Sequence, residues 1–232
     1  MPIANEQTAP KPSLEGVIFD MDGLMVDTEP IWTKAWAPTL EEFGIHEVPE
    51  GLPDACRGTA GSSTAEQIER YLGNDVDGLA IFRRLDEIGS ELTLREATKK
   101  PGLDEILAYL EGRGIPMAVA SSGGIDRILA QLDRLGLRKH FARIVSGRNL
   151  EHPKPAPDVF LLAAGQLGAR PEKAIVLEDA PAGITAAHAG GFVPIMVPDQ
   201  VAPTPEIREK AFAICADLLE ARDLIDRTWP ER

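Results

Sequence analysis

The sequence has few cysteines and no long apolar run. Its two cysteines, Cys56 and Cys215, lie far apart and form no metal-ligand cluster, which favours free thiols in a reducing compartment. No stretch approaches the roughly 20 apolar residues that a membrane-spanning helix needs. The first residues also lack a basic region followed by an apolar core, so no signal peptide is expected. These absences predict a cytoplasmic protein outside the membrane.

Basic residues are also scarce. The 232-residue chain has 24 lysines and arginines against 37 acidic residues, which gives a formal net charge of −13. Such an excess of negative charge disfavours nucleic acid and anionic membranes as partners. It would also repel a negatively charged ligand, so a site for one needs local positive charge. The composition leaves the oligomeric state open.

Two carboxylates follow the first strand-like run. The apolar, β-branched run at 16–19 is typical of a buried strand, and Asp20, Met21, Asp22 and Gly23 come directly after it. Ligands of open parallel sheets bind at the carboxyl ends of strands, and ionised carboxylates are rarely buried alone. Side chains alternate along a strand, so the two aspartates can share one side. The pair indicates a bound cation and a reacting group, with an Asp-Gly turn as the alternative.

Polar groups follow later apolar runs in the same way. One run ends at Ser121 and Ser122, whose hydroxyl and backbone N–H groups suit a phosphate, although they also suit simple helix capping. Lys154 stands between two prolines, which fix the loop around a residue type that is usually solvated. Another run ends at Glu178 and Asp179, whose oxygens suit a hard cation such as Mg²⁺. Each segment is ambiguous alone, but their common position indicates one site.

The order of elements predicts an α/β fold. From residue 99 onward, helices are expected at 103–112, 125–135, 157–167 and 182–189, and they alternate with strands at 116–120, 143–146, 174–177 and 193–197. Such alternation is typical of a parallel sheet with helices on both faces. The fold class is therefore a Rossmann-like parallel-sheet core.

A segment without strands interrupts this core. Residues 30–98 contain helical patterns only, and Pro38 is expected to kink or interrupt the first of these helices. We therefore expect an inserted, all-helical cap at 30–98 and a discontinuous catalytic core at 14–29 and 99–232. Residues 1–13 are expected to form a flexible lead-in.

The motifs, in this order, resemble those of the haloacid dehalogenase-like hydrolase superfamily. The order is Asp-x-Asp-Gly, then a serine, then Lys-Pro, then Glu-Asp. The stretches 19–30, 154–160 and 177–184 are similar to the branch that contains sugar-phosphate phosphatases and β-phosphoglucomutase. The resemblance covers residues from about 14 to about 198, most of the chain. It implies phosphoryl transfer through an aspartyl phosphate.

The resemblance also implies roles for the acids. Asp20 is the expected nucleophile, because a carboxylate can accept a phosphoryl group and split one displacement into two. Asp22 is the expected general acid and base. Mg²⁺ would be bound by Asp20, the backbone carbonyl of Asp22 and Asp179, with Glu178 binding directly or through water.

Phosphate binding is expected from three residues. Ser121 and Ser122 would hold the phosphoryl oxygens, and Lys154 would supply positive charge to them. On the cap, Arg57 and Gly58 are candidates for substrate contact, since closure of a cap would bring the arginine over the site. The alternative for Arg57 is an ordinary surface ion pair.

The sequence departs from β-phosphoglucomutase where that enzyme binds its second phosphate. Trp32 occupies the place of a cap histidine, Gly61 that of a cap arginine, and Gly124 and Ile125 that of a Lys-Asn pair. These losses favour a phosphatase over a mutase. The absence of lysine from 35 to 98 disfavours the phosphonatase branch, and Asp22 disfavours the dehalogenase branch.

We therefore predict a Mg²⁺-dependent phosphatase that hydrolyses a small phosphorylated metabolite, with a sugar phosphate as the expected substrate class. Phosphoglucomutase-type phosphoryl transfer is the alternative. A non-catalytic protein that binds a phosphorylated ligand is the remote one, because all the acids of the motifs are present. The sequence does not name the substrate.

Overall fold

The computed structural model describes residues 13–57, 61–73 and 75–230. The predicted lead-in at 1–13 therefore lies almost entirely outside the described residues. Along the described chain the helices and strands are β1 (Gly16–Phe19), β2 (Val26–Asp27), α1 (Glu29–Glu42), α2 (Leu52–Cys56), α3 (Ser62–Leu72), α4 (Gly78–Glu96), β3 (Thr98–Lys99), α5 (Leu103–Gly112), β4 (Met117–Ser121), α6 (Ile125–Arg134), β5 (Arg143–Ser146), α7 (Asp158–Leu167), β6 (Ala174–Glu178), α8 (Pro181–Ala189), β7 (Val193–Met196), α9 (Pro205–Lys210), β8 (Ala213–Ile214) and α10 (Leu218–Thr228).

The main sheet has six parallel strands in the order β5-β4-β1-β6-β7-β8. The central strand β1 pairs with β4 and β6, and Phe19 lies opposite Val119 and Leu177. The next residue, Asp20, is therefore level with Glu178 at the end of β6. This register brings motifs from distant parts of the sequence to one edge of the sheet, and the predicted α/β fold class is confirmed.

Side chains of β1 enter two different hydrophobic clusters. Val17 and Phe19 pack with residues of α5, α6 and α10, whereas Ile18 packs with residues of α7 and α8. This alternation follows from the two-residue period of a strand and places helices on both faces of the sheet. All three side chains are fully buried, and burying one such side chain stabilises the fold by about 1.5–3 kcal/mol.

Helices α1 to α4 have a hydrophobic cluster of their own. It is formed by residues that are buried between these helices: Ala35, Trp36, Leu40, Leu52, Ile68, Ile81 and Leu85. At the base of this segment, β2 and β3 pair antiparallel, with Val26 opposite Lys99 and Asp27 opposite Thr98. The outgoing and returning chains are therefore joined where they meet the main sheet.

The structure differs from the sequence prediction in detail. The expected break at Pro38 is wrong as an interruption, because α1 continues through it to Glu42. Ala35 and Leu40 on either side of Pro38 are fully buried, and this packing outweighs the missing backbone donor. The pairing of β2 with β3 was not predicted, since two-residue strands carry too little periodicity to detect. Among the described residues, no helix is both long and apolar enough to cross a membrane.

Candidate active site

Lys154 joins two of the strand-end carboxylates. Its Nζ lies 2.5 Å from Oδ1 of Asp20 and 2.7 Å from Oε1 of Glu178. The ammonium also lies 4.5 Å from the centre of the Phe160 ring, which packs beneath it from α7. Lys154 and both acids are almost fully buried, so these contacts operate with little screening by water. The lysine is held in one place rather than solvated.

The acids outnumber the local positive charge. Burial, partly opposed by Lys154, raises the pKa of Asp20 to about 7. Burial and then the charge of Glu178 raise the pKa of Asp179 to about 9. Burial opposes the charge on Lys154, but Asp20 and Glu178 outweigh it and raise the lysine pKa. The ionised forms of these buried acids therefore have less counter-charge than they need from the described side chains.

The same carboxylates form a group that fits a hard cation. Asp20, Glu178 and Asp179 each place one oxygen within 4.8 Å of the others. Two glycines leave space for them: a Cβ on Gly23 would lie 2.3 Å from Oδ2 of Asp179, and one on Gly183 would lie 1.7 Å from Oε1 of Glu178. Buried carboxylate oxygens with too little counter-charge are a donor set that Mg²⁺ prefers. The residues present therefore fit the ion.

The two acids at the end of β6 are held differently. Glu178 accepts hydrogen bonds from Lys154 on one oxygen and from the backbone N–H of Ala180, at 2.8 Å, on the other. Val197 donates to the Glu178 carbonyl at 2.8 Å, which fixes the strand end. Asp179 lies beyond the strand, against Gly23. This difference favours Asp179 as a direct ligand, because each carboxylate oxygen of Glu178 already accepts a hydrogen bond.

The serine loop follows β4. Ser121 is buried, and its Oγ accepts a hydrogen bond from the backbone N–H of Gly123 at 3.1 Å. Ser146, at the end of the neighbouring strand, donates to the Gly123 carbonyl at 2.6 Å. Helix α6 begins after Gly124 without a side-chain cap, so the serines do not serve the capping role that was their alternative. Ser122 is exposed at the same turn.

Asp22 pairs with an arginine and is not one of the three grouped acids. Its carboxylate accepts two hydrogen bonds from the guanidinium of Arg127, at 2.6 Å and 3.2 Å. Neither side chain is fully exposed, at 27% for Asp22 and 19% for Arg127. The structure therefore places the expected acid–base residue beside α6, which follows the serine loop, with an arginine as its partner.

The cap candidates are less well placed by the structure. Arg57 forms an ion pair with Asp54 at 2.7 Å, a contact of the kind that was its alternative. Gly58 lies outside the described residues. Trp32, in the position of the mutase histidine, packs on α4, where a Cβ on Gly89 would lie 2.1 Å from its ring. The tryptophan thus serves packing within the helical segment.

Two residues of the site were missed from the sequence. Ser146 ends β5 just as Ser121 ends β4, and the rule of polar groups at strand ends could have found it. Arg127 was missed because an arginine in the first turn of a helix is common and its partner Asp22 is 105 residues away. The pair forms in the folded chain because β1 lies beside β4, and α6, which carries Arg127, follows β4.

Comparisons with known proteins show the family to which the chain belongs. Residues 17–197 match the family model of the haloacid dehalogenase-like hydrolases. The chain is 36% identical over 177 residues to the fructose-1-phosphate phosphatase YqaB of Escherichia coli, covering 76% of this chain and 93% of that protein. It is 32% identical over 185 residues to a phosphorylated carbohydrates phosphatase of Thermotoga maritima, covering 77% and 82% of the two. CbbY from Rhodobacter sphaeroides, solved in complex with phosphate, superposes with a TM-score of 0.72 at 26% identity, covering 89% of this chain and 96% of that one.

The fold is a parallel α/β sheet that brings buried acids and a lysine together at the carboxyl ends of its strands, where such sheets bind ligands. With the family match over most of its length, the chain belongs to the haloacid dehalogenase-like hydrolases. Within that family it is a phosphoric monoester hydrolase. The predicted superfamily and enzyme class are confirmed.

Proposed function

We propose that this protein is a Mg²⁺-dependent phosphatase that hydrolyses a small sugar phosphate through an aspartyl phosphate on Asp20. The observation that carries the proposal is the contact of buried Asp20 with Lys154 inside a group of three carboxylates. A solvent-exposed turn aspartate would have none of these features. The arrangement supports a nucleophile that attacks a phosphorus atom held by cations.

The residues that face the phosphoryl group have separate tasks. Asp20 attacks the phosphorus, and its Oδ1 contact with Lys154 at 2.5 Å orients the carboxylate. As negative charge develops on the phosphoryl oxygens, the ammonium of Lys154 stabilises it electrostatically. Ser121 offers its hydroxyl proton and Ser122 its backbone N–H to the same oxygens.

Asp20, the backbone carbonyl of Asp22, Asp179 and Glu178 would hold Mg²⁺. When bound, the ion neutralises the repulsion between the nucleophile and the phosphate and polarises the phosphoryl oxygens. The protein's own contribution is the spacing of the carboxylates, which Gly23 and Gly183 allow.

Asp22 carries the proton in both half-reactions. As the bond between phosphorus and the ester oxygen breaks, Asp22 gives its proton to that oxygen and the alcohol leaves. Water then attacks the aspartyl phosphate, and the Asp22 carboxylate takes a proton from it, which releases phosphate and restores Asp20. Asp22 thus regains in the second half-reaction the proton that it gave in the first.

We propose that residues 30–98 act as a cap domain over the core formed by 14–29 and 99–232. The separate hydrophobic cluster of α1 to α4 and the β2–β3 pairing at the base of this segment support this division. In such enzymes the motifs fix the chemistry while contacts from the cap select the leaving group. The relatives named above act on fructose 1-phosphate and on phosphorylated carbohydrates, which supports a sugar phosphate here.

The test is a panel of phosphorylated metabolites together with a generic aryl phosphate, assayed with and without Mg²⁺. We expect turnover that needs Mg²⁺ and a loss of about a thousandfold or more in Asp20→Asn. Acid quench during turnover should trap phosphate on the wild-type protein but not on the variant. Full activity of Asp20→Asn or turnover without metal contradicts the proposal, and tight ligand binding without any turnover supports the binding-protein alternative instead.

A further inference from the structure

The orientation of Asp22 depends on one contact. Among the described residues, the hydrogen bonds to its carboxylate come from Arg127 alone. Nη2 lies 2.6 Å from Oδ2, and Nη1 lies 3.2 Å from Oδ1. Asp22 is followed by Gly23 and is more than a quarter exposed, so its own surroundings do not hold the side chain in one rotamer.

Arg127 is itself well held. It lies in the first turn of α6, and a Cβ on Gly123 would lie 2.6 Å from its Nη2, so the guanidinium packs against the serine loop. The charge of Asp86 on α4 also attracts this guanidinium, and the Asp86 carboxylate lies 3.5 Å from Arg148. The arginine is thus fixed by the loop, by Asp22 and by charge from the helical segment.

We propose that Arg127 is a positioning residue that orients Asp22 for proton transfer to the leaving group. The inference rests on the proposed function, because it assigns a task to the partner of the acid–base residue. The shorter contact anchors Oδ2, and Oδ1, which accepts the longer contact, is the oxygen that carries the proton to the ester oxygen. After the transfer, the two N–H groups of the guanidinium stabilise the negative charge of the Asp22 carboxylate.

The planar guanidinium is the feature of Arg127 that this role requires. A guanidinium binds both oxygens of a carboxylate in one plane, whereas an ammonium binds as a point charge and fixes no plane. Arg127→Lys therefore keeps the charge but loses the orientation, and Arg127→Met loses both while keeping a similar length. A structural role alone would not distinguish substrates by their leaving groups.

The experiment compares kcat/KM for 4-nitrophenyl, phenyl and simple alkyl phosphates. This ratio includes only the steps up to departure of the leaving group, and a good leaving group needs little help from an acid. In Arg127→Met we expect the alkyl phosphate to lose at least about tenfold more than 4-nitrophenyl phosphate. The leaving-group dependence of Arg127→Lys should lie between that of Arg127→Met and that of the wild type. The control is Arg138→Met, which breaks the remote 3.0 Å pair with Asp133 and should leave the leaving-group dependence unchanged.

A second comparison uses the background Asp22→Asn. If Arg127 acts through Asp22, then adding Arg127→Met to this background should not steepen the leaving-group dependence further. Equal losses on all three esters, or a further steepening without Asp22, overturn the inference while leaving phosphatase activity established. A wild-type protein that hydrolyses none of the esters overturns the proposed function and the inference with it. Thermal melting of each variant separates these outcomes from unfolding.

Discussion

Lys154 Nζ lies 2.5 Å from Oδ1 of Asp20, although 134 residues separate the two in the chain. The contact exists because the loop that bears Lys154 reaches the carboxyl end of the central strand β1. Both side chains are buried, which makes the pair costly unless each charge has further partners. Glu178 and the Ala120 carbonyl supply them for the lysine.

The buried acids predict that stabilisation by Mg²⁺ depends on pH. The pKa values of Asp20 and Asp179 are raised from the ordinary 3.8 to about 7 and about 9, chiefly by burial. The two carboxyl groups stabilise the folded state when the pH is below their pKa in the unfolded chain. This stabilisation is lost as the pH rises through their pKa values in the folded protein. The free energy of unfolding of the metal-free protein should therefore fall from about pH 4 to about pH 9. Mg²⁺ needs the ionised acids, so its shift of Tm should be larger at about pH 8.5 than at about pH 5.5.

The measurement is thermal melting in chelator and in Mg²⁺ at the two pH values. Asp179→Asn is the matched variant, because it removes one ligand and one of the raised groups. We expect the variant to melt higher than the wild type in chelator at high pH and to gain less from Mg²⁺. A Mg²⁺ shift that is the same at both pH values contradicts this account of the site.

The residues that replace those of the mutase's second phosphate site predict release of phosphate to water. With β-glucose 1-phosphate and a catalytic amount of the bisphosphate, free phosphate should form faster than glucose 6-phosphate. Trp32 packs on α4 and Gly61 has no side chain, so neither supplies a proton or a charge to the far end of a sugar. Product analysis over time distinguishes the two reactions. Faster formation of glucose 6-phosphate would reverse the assignment in favour of the mutase alternative.

Arg57→Ala tests whether the cap touches the leaving group. If Arg57 exchanges Asp54 for substrate, kcat/KM should fall more for the physiological sugar phosphate than for a short aryl phosphate. Its present 2.7 Å ion pair is partly exposed and contributes at most about 1 kcal/mol to stability, so such an exchange costs little. Asp54→Ala is the control, because it removes the pair but keeps the arginine. Equal losses on both substrates in Arg57→Ala would leave the arginine without this role.

The sequence predicts the sheet and the strand-end residues because both depend on strong local signals. The buried run that ends at Phe19 and the acids that follow it are visible in a few adjacent letters. The pair of Asp22 with Arg127 is not visible in this way, since neither residue is unusual among its neighbours. The uninterrupted α1 likewise depends on packing around Pro38 that only the folded chain supplies. Chemistry fixed by strand register is therefore predictable here, whereas contacts between a loop and a helix are not.

Gly183 provides the last prediction, because it lies where Glu178 needs room. An alanine Cβ at this position would lie 1.7 Å from Oε1 of Glu178, so the carboxylate must leave its 2.7 Å contact with Lys154. Gly165→Ala is the matched control, since a Cβ on this helical glycine would meet no heavy atom of the described residues within 4 Å and the change should add about 0.5–1 kcal/mol to stability. Gly183→Ala should instead cost about 1–3 kcal/mol and lower kcat/KM by about tenfold or more. Melting curves and initial rates of the two variants provide the check. If Gly183→Ala behaves like Gly165→Ala, then the place of Glu178 beside Lys154 has no part in the reaction.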